Sequence, residues 1–331
     1  MAPCRRRPET RFTPFVPSRV ILLRHYIKNY LYINIMQNVT EQLIVRLKAL
    51  ADPVRLRLLA LCMHGECTVS ELTAVMGQSQ PRVSQHLKKL CDAELLQRFR
   101  DGQFVYYRVP LRGAQAAERG QLLELLPDQE PAFGRDFERL CALRGAQDHA
   151  PLPNPHADET RELQRALIEL TVSTPLGNLL DIGSGRGGLL KLLASRAQRD
   201  VGVDIDADAR QLARAELLLA GAENCSLRKG DMYALPFADA EFDTVILDDV
   251  LGTAERPIAA LAEARRLLRP AGRLLLLAQS GDGDIKALEQ RLVEWCGVTG
   301  LRLAMPRHIP RSAPRWVLGI ATLADGQAAA A

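Results

Sequence analysis

No long apolar run occurs in this sequence. The longest, such as Leu274 to Ala278, fall far short of the roughly 20 residues that cross a bilayer, so no transmembrane helix is expected. Cysteine is thin as well. The seven cysteines, at positions 4, 62, 67, 91, 141, 225 and 296, are scattered through a chain with no secretory signal, which argues against a disulfide framework and points to a reducing cytoplasm. Acidic side chains are scarce at the amino-terminal end: residues 1 to 110 hold 8 Asp and Glu against 17 Lys and Arg, whereas the remainder holds 31 against 26. Any surface for a polyanion therefore belongs to the first third. What is left is the make-up of a soluble globular protein, 47% hydrophobic and 25% charged, and 331 residues at roughly 150 per domain make two domains.

Residues 1 to 35 carry Arg5, Arg6, Arg7, Arg11, Arg19, Arg24 and Lys28 against Glu9 alone, and their apolar patch, Val20 to Leu23, is too short for a signal-peptide core. We read them as a disordered basic extension or a mis-called start, with Met36 as candidate start and a mitochondrial-type presequence as the competing reading. From Thr40, Leu43, Ile44, Leu47 and Leu50 recur at helical spacing. Asp52-Pro53, an N-cap followed by a proline, then opens a second helix with Leu56, Leu59, Ala60 and Met63 on one face. Thr68-Val69-Ser70-Glu71 is a capping box that starts a third, short helix ending at Gly77.

Ser79 caps a fourth helix, in which Val83, Leu87 and Leu90 face inward and turn Arg82, Ser84, Gln85, Lys88 and Lys89 outward. Its first turn offers Gln80, Ser84 and Gln85, which both donate and accept at base edges, while Lys88 and Lys89 suit phosphates. Leu95 to Arg100 and Gln103 to Val109 then flank Asp101-Gly102, a hairpin signal, and the arms carry Arg98, Arg100 and Arg108 with Tyr106 and Tyr107. Singly, these features describe a solvated amphipathic helix and a surface hairpin. Their order describes an α+β winged helix-turn-helix on DNA, with Ser79, Gln80, Arg82, Ser84, Gln85, Lys88, Lys89, Arg98, Arg100 and Tyr107 as contacts.

The stretch Leu47-Lys48-Ala49-Leu50-Ala51-Asp52-Pro53-Val54-Arg55-Leu56-Arg57-Leu58-Leu59, with Ser79-Gln80-Pro81-Arg82-Val83-Ser84-Gln85-His86-Leu87-Lys88-Lys89-Leu90, resembles the ArsR/SmtB family of bacterial repressors. The resemblance covers about residues 40 to 110. It implies double-stranded DNA with an inverted-repeat operator as partner, a homodimer paired through the first helix and a helix after the wing, and an effector that releases the DNA. Arsenite-sensing members carry a Cys-Val-Cys-Asp-Leu box at the third helix. Here the box reads Thr68-Val69-Ser70-Glu71-Leu72, so both thiolates are missing, and residues 110 to 130 hold no histidine for the zinc-sensing pattern. Cys62, His64 and Cys67 lie close enough in sequence for a soft metal. Free cysteines in a helical core are usually small hydrophobes, and no metal site is assigned.

Residues 113 to 175 combine Gly113, Gly120, Pro127, Pro131 and Gly134 with amphipathic stretches at Leu122 to Leu126 and around Phe137 to Leu143, as a dimerisation helix and a spacer would. Ala150-Pro151-Leu152-Pro153-Asn154-Pro155 is the clearest linker. The expected limits are 36–112 for the DNA-binding domain, 113–175 for the connection, 176–323 for a second domain and 324–331 for a disordered tail.

In that second domain Asn178 to Asp181 is a strand that opens into Gly183-Ser184-Gly185-Arg186-Gly187-Gly188 and a helix from Leu189 to Ala197. Such a turn lets a ligand approach backbone amides, though a glycine-rich turn alone is a weak signal. Strands follow at Val201 to Asp204, Asn224 to Lys229, Phe242 to Leu251 and, after Leu268-Arg269-Pro270-Ala271-Gly272-Arg273, Leu274 to Ala278. The alternation gives an α/β Rossmann-like doubly wound parallel sheet with its ligand at the carboxyl ends.

From Leu180 to about Ala278 this order resembles class I S-adenosylmethionine-dependent methyltransferases, particularly the group that includes the ubiquinone/menaquinone biosynthesis enzymes. The resemblance implies S-adenosylmethionine or S-adenosylhomocysteine as cofactor. Asp181, Gly183, Ser184 and Gly185 would surround the methionine and ribose portion, and Asp204 would take the ribose hydroxyls with Ile205 in the same set. Asp231 with Met232 would hold the adenine, and Asp248 would lie near the sulfonium. Methyl transfer needs chiefly alignment, so no compact catalytic motif is required. None is present: there is no Asn/Asp-Pro-Pro-Tyr sequence, Cys225 and Cys296 stand alone, and Gly252-Thr253 replaces the family's usual polar aromatic or histidine. No catalytic residue is assigned.

The expectation is thus a cytoplasmic, dimeric repressor whose fused domain binds S-adenosylmethionine or S-adenosylhomocysteine as effector. The alternatives are an active small-molecule methyltransferase autoregulated by its DNA-binding half, and an inert dimerisation scaffold that binds no cofactor.

Overall fold

The structure is a computed structural model that describes residues 40–110, 116–127, 130–145, 157–172, 174–281, 284–310 and 312–324. The basic extension, Met36, the proline-rich linker at 150–155 and the tail beyond 324 lie outside the described residues.

Helix α1 (residues 40–50) leads into α2 (Pro53–Met63), whose N-cap Asp52 accepts the Arg55 N–H at 3.0 Å. Helix α3 (Val69–Met76) starts with the expected capping box: the Thr68 hydroxyl accepts the Glu71 N–H at 3.2 Å, and Glu71 accepts the Thr68 N–H at 2.7 Å. Helix α4 (Gln80–Asp92) has Ser79 at its N-cap position, but the hydroxyl makes no capping bond. The cause is local. Pro81, at the second helical position, has no N–H, and the Arg82 N–H goes to the Ser79 carbonyl instead.

Strands β1 (Cys67–Thr68), β2 (Gln97–Asp101) and β3 (Phe104–Arg108) form an antiparallel sheet in the order β1-β3-β2. The hairpin reverses at Gly102-Gln103, one residue later than expected, because Asp101 still pairs with Phe104. Gly102 takes φ +59 at the first loop position, as a type II′ turn requires. Leu58, Leu72, Val83, Leu87, Leu90 and Leu95 are fully buried and form one core. After α5 (Ala116–Leu123), helix α6 (Pro131–Gly145) adds Leu140 to that core, and Asp136 accepts both arms of the Arg57 guanidinium at 2.6 and 2.7 Å.

The carboxy-terminal half runs α7 (Ala157–Thr171), β4 (Asn178–Ile182), α8 (Gly188–Leu193), a 3-10 turn (Ala194–Arg196), β5 (Arg199–Asp204), α9 (Ala207–Leu219), β6 (Cys225–Lys229), β7 (Phe242–Asp248), α10 (Pro257–Leu267), β8 (Leu268–Gln279), α11 (Ile285–Val298), β9 (Leu301–Ile309) and β10 (Trp316–Leu323). The seven-stranded sheet has the order β6-β5-β4-β7-β8-β10-β9. Alternate residues of each central strand enter opposite layers. Leu180, Val245 and Leu274 pack with α10 and α11, whereas Leu179, Ile246 and Leu275 pack with α7 and α8.

Two expectations need correction. The sheet is mixed rather than wholly parallel, since β10 runs antiparallel to both β8 and β9; only a short connection joins β9 to β10, too short for a parallel crossover. Strand β8 also begins at Leu268, where a turn was expected, and the irregularity survives as a register shift against β7 between Phe242 and Thr244.

The halves pack on one another. Leu218 of α9 belongs to the amino-terminal core. Asp101 accepts from Arg210 Nε at 2.9 Å, from Arg210 Nη2 and from Arg214 Nη2 at 2.7 Å. Glu66 accepts from Arg214 at 2.8 Å and from Arg108 and Arg228 at 3.1 Å each. Both acids are buried, as are Arg210 and Arg214. Arg144 of α6 donates to the Glu66 carbonyl at 2.7 Å, to the Glu71 carboxylate at 2.8 Å and to the Arg214 carbonyl at 3.1 Å.

Candidate functional site

The chain reverses its direction across the sheet between β4 and β7, beside the carboxyl ends of β4, β5 and β7, which is where doubly wound sheets have their ligand crevice. The glycines shape the turn at this point. Gly183, Gly185 and Gly187 all have positive φ, and a Cβ on Gly183 would stand 2.1 Å from Val250 Cγ1. The Gly183 and Ser184 N–H groups donate to the Val203 carbonyl at 2.8 and 3.1 Å, which fixes the turn against β5.

Four acids, Asp181, Asp204, Asp248 and Asp249, stand at or beside these strand ends. Asp181 is fully buried, and neither carboxylate oxygen has a hydrogen-bond partner. Burial first, and then the charges of Asp248, Asp200 and Asp204, hold its carboxyl well above the usual range. Burial, with Asp249 and Asp204 adding to it, pushes Asp248 up to about 7. Asp249 has φ +54, and its carboxylate accepts the Gln279 N–H at 2.8 Å. Asp204 accepts the N–H groups of Gly185 and Asp206, each at 2.8 Å. A crevice with an orphaned buried carboxylate and further acids suits a ligand that carries positive charge and hydroxyl donors, so the residues present fit S-adenosylmethionine.

Asp231 is exposed and accepts the Tyr233 N–H at 3.1 Å, while Met232 is half-buried against the core. Ile205, 69% exposed beside Asp204, presents apolar surface of the kind that a purine ring covers. Ser184 is buried with its hydroxyl unpartnered.

On the other half, Ser79, Gln80, Arg82, Gln85, Lys88 and Lys89 are exposed along α4, and Ser84 is half-exposed. In the wing Arg98 and Arg100 are exposed. Tyr107 is not: its ring is 7% exposed and belongs to the core, so it is not presented to a ligand. Arg108 is half-buried, bonded to Gln97 and Glu66 and stacked 4.9 Å from the Phe99 ring centre. Cys62 and Cys67 are buried, and the neighbouring thiol together with burial keeps Cys62 well above the usual thiol range. Among the described residues, no group of three or more His, Cys, Asp or Glu side chains is arranged to hold a metal ion. Also among them, no helix is long and apolar enough to cross a membrane. The acids and arginines between the halves, Glu66, Asp101, Arg210 and Arg214, had no signal in the sequence beyond their charge.

The class that these features define is a Rossmann-like, nucleotide-cofactor fold joined to a helix-turn-helix. Residues 52–98 match the family model described as bacterial regulatory protein, arsR family, and residues 180–276 match the one described as methyltransferase domain. The arsenic resistance transcriptional regulator ArsR1 of Pseudomonas putida is 46% identical over 63 residues, 19% of this chain and 49% of that protein. The ubiquinone/menaquinone biosynthesis C-methyltransferase UbiE of Dinoroseobacter shibae is 38% identical over 118 residues, 34% of this chain and 46% of that protein. An uncharacterized 37.1 kDa protein in transposon TN4556 of Streptomyces fradiae is 34% identical over 163 residues, 46% of this chain and 47% of that protein. The chain thus spans about half the length of each of these relatives. It joins an ArsR-type DNA-binding domain to a methyltransferase domain.

Proposed function

We propose that the protein is a dimeric, cytoplasmic transcriptional repressor that reads its own cofactor cleft, releasing or engaging an inverted-repeat operator according to S-adenosylmethionine or S-adenosylhomocysteine. Residues 36–112 bind the DNA and residues 176–323 the ligand. The observation that carries this reading is Asp181, a buried carboxyl group with two unpartnered oxygens next to the Gly183 to Gly185 turn at the end of β4.

Asp181, Ser184 and Gly185 would hold the methionine and ribose portion, Asp204 the ribose hydroxyls, Ile205, Asp231 and Met232 the adenine, and Asp248 the sulfonium side. When bound, S-adenosylmethionine supplies an electrophilic methyl group. Gln80, Ser84 and Gln85 read base edges from α4, Ser79, Arg82, Lys88 and Lys89 meet phosphates, and Arg98 and Arg100 extend that contact along the wing. Leu43, Ile44 and Leu47, each more than two-fifths exposed on α1, support pairing of two copies through that helix.

Calorimetric titration with S-adenosylmethionine and S-adenosylhomocysteine, with and without a duplex from the gene's own promoter, tests the reading. The expected result is binding whose affinity changes when the DNA is added. Failure of either ligand to bind would remove it.

A second reading, an active small-molecule methyltransferase autoregulated by its DNA-binding half, draws support from Asp248, whose carboxyl at about 7 is in the range of a general base. Conversion of S-adenosylmethionine to S-adenosylhomocysteine that depends on an added acceptor would favour it.

A further inference from the structure

The wing is not free. Its turn rests on the first residue of α9, where a Cβ built on Gly102 would lie 3.8 Å from the Ala207 Cβ. Asp101, next to that turn, is 7% exposed because Arg210 and Arg214 close over its carboxylate. Phe99 on the same strand is held between Arg108 and Arg228, 4.9 and 5.1 Å from its ring centre. Gly102 and Gln103 stay exposed on the outer side of the turn, but the strand behind them is tied to α9 and β6, so the second half fixes where the wing points.

Arg210 also faces the other direction. Its Nη1 donates to the Asp204 carbonyl at 2.9 Å, and the Asp204 carboxylate accepts the Gly185 and Asp206 N–H groups. One fully buried guanidinium therefore joins the acid at the wing tip to the loop that carries the ribose-binding acid.

We propose that the wing-to-α9 face is an autoinhibitory contact that competes with DNA for the wing, and that Arg210 links it to the state of the cofactor cleft. The proposal rests on the effector-controlled repressor reading and supplies its coupling. Ligand hydroxyls that donate to Asp204 order the 204–206 loop and the start of α9, which favours the docked wing, so the ligand weakens DNA binding. The contact is two-state because buried arginines tolerate either full pairing or full solvation, not a half-open arrangement.

The Cβ separation at Gly102 and Ala207 lies within the roughly 3.5–4.5 Å that a disulfide spans. The full chain carrying both Gly102→Cys and Ala207→Cys is cross-linked with diamide and titrated by fluorescence anisotropy against a promoter duplex, with diamide-treated wild type as the control for native thiols. The locked form should bind DNA at least about tenfold more weakly than the same protein reduced with dithiothreitol, with or without S-adenosylhomocysteine. Equal affinity of the locked and reduced forms would overturn the proposal. Asp101→Asn gives a second, independent arm, because it removes a charge that Arg210 and Arg214 share without touching the cleft. This variant should bind S-adenosylhomocysteine as the wild type does, while its DNA affinity no longer responds to that ligand; a full response would overturn the link through Arg210. A wild type whose DNA affinity ignores the ligand would remove the effector reading and the linkage with it, and the cross-link would still decide whether the docked wing blocks DNA.

Discussion

Asp101 and Arg210 lie 109 residues apart in sequence and meet inside the protein, with Arg210 Nε 2.9 Å from Asp101 Oδ2 and its second arm on Oδ1. Burial pushes the Asp101 carboxyl up, but the guanidiniums of Arg210 and Arg214 outweigh burial and hold it below the usual carboxylate range. A depressed acid contributes stability above its unfolded value of about 3.9, and that contribution is lost as pH falls through the folded value. Scanning calorimetry should therefore show one cooperative transition at pH 7 and two separated transitions near pH 3. A single transition at both would mean that the pair does not hold the halves together.

Gly183 and Gly188 make a contrasting pair. Alanine at Gly183 would meet Val250 at 2.1 Å in a backbone with φ +82, whereas at Gly188 nothing lies within 4 Å and φ is ordinary. Gly183→Ala should cost about 1–3 kcal/mol of stability and abolish ligand binding. Gly188→Ala, at the start of α8, should be neutral or stabilise by up to about 1 kcal/mol. Thermal melts and calorimetric titration of the two variants give the comparison.

Cofactor affinity should depend on pH through Asp248. Its carboxyl sits at about 7 because of burial and its acidic neighbours, so below that pH it is largely protonated and offers no charge to a sulfonium. Affinity for S-adenosylmethionine should rise between pH 6 and pH 8, with proton release on binding at pH 6. Titrations in buffers of different ionisation enthalpy measure both, and Asp248→Asn should flatten the profile.

On DNA, Lys88→Ala and Lys89→Ala should weaken binding to all sequences alike and each reduce the salt slope by about 1. Gln85→Ala should cost about 1–3 kcal/mol on the operator alone and leave the slope intact. Anisotropy across a potassium chloride series separates the two behaviours.

Local signals carried much of the fold into the sequence. The Asp52 cap, the Thr68 and Glu71 box and the spacing of Val83, Leu87 and Leu90 are interactions within a few residues, and each took the expected place. The same holds for the glycine turn and for Asp204, because strand, turn and helix in tandem leave little freedom for where an acid lands. What stayed hidden was long-range. Arg210 and Arg214 sit on a helix face whose charges look solvated, and only the folded wing supplies their carboxylates. Tyr107 sat between arginines in a hairpin that suggested a groove contact, but the core behind β3 takes the ring. The antiparallel β9 and β10 follow a run of helix-linked strands, and nothing local announces the change of direction.

Arg144 bears on how this protein could have been assembled and could be re-engineered. Its single guanidinium is satisfied by Glu66, Glu71 and Arg214 at once, from the connecting helix to both halves. Neither half is then an interchangeable cassette. A chimera that swaps in a foreign regulator or a foreign methyltransferase inherits an orphaned cation at the seam unless its donor brings matching acceptors, so productive recombinants should be found among chains that exchange the seam together with the module.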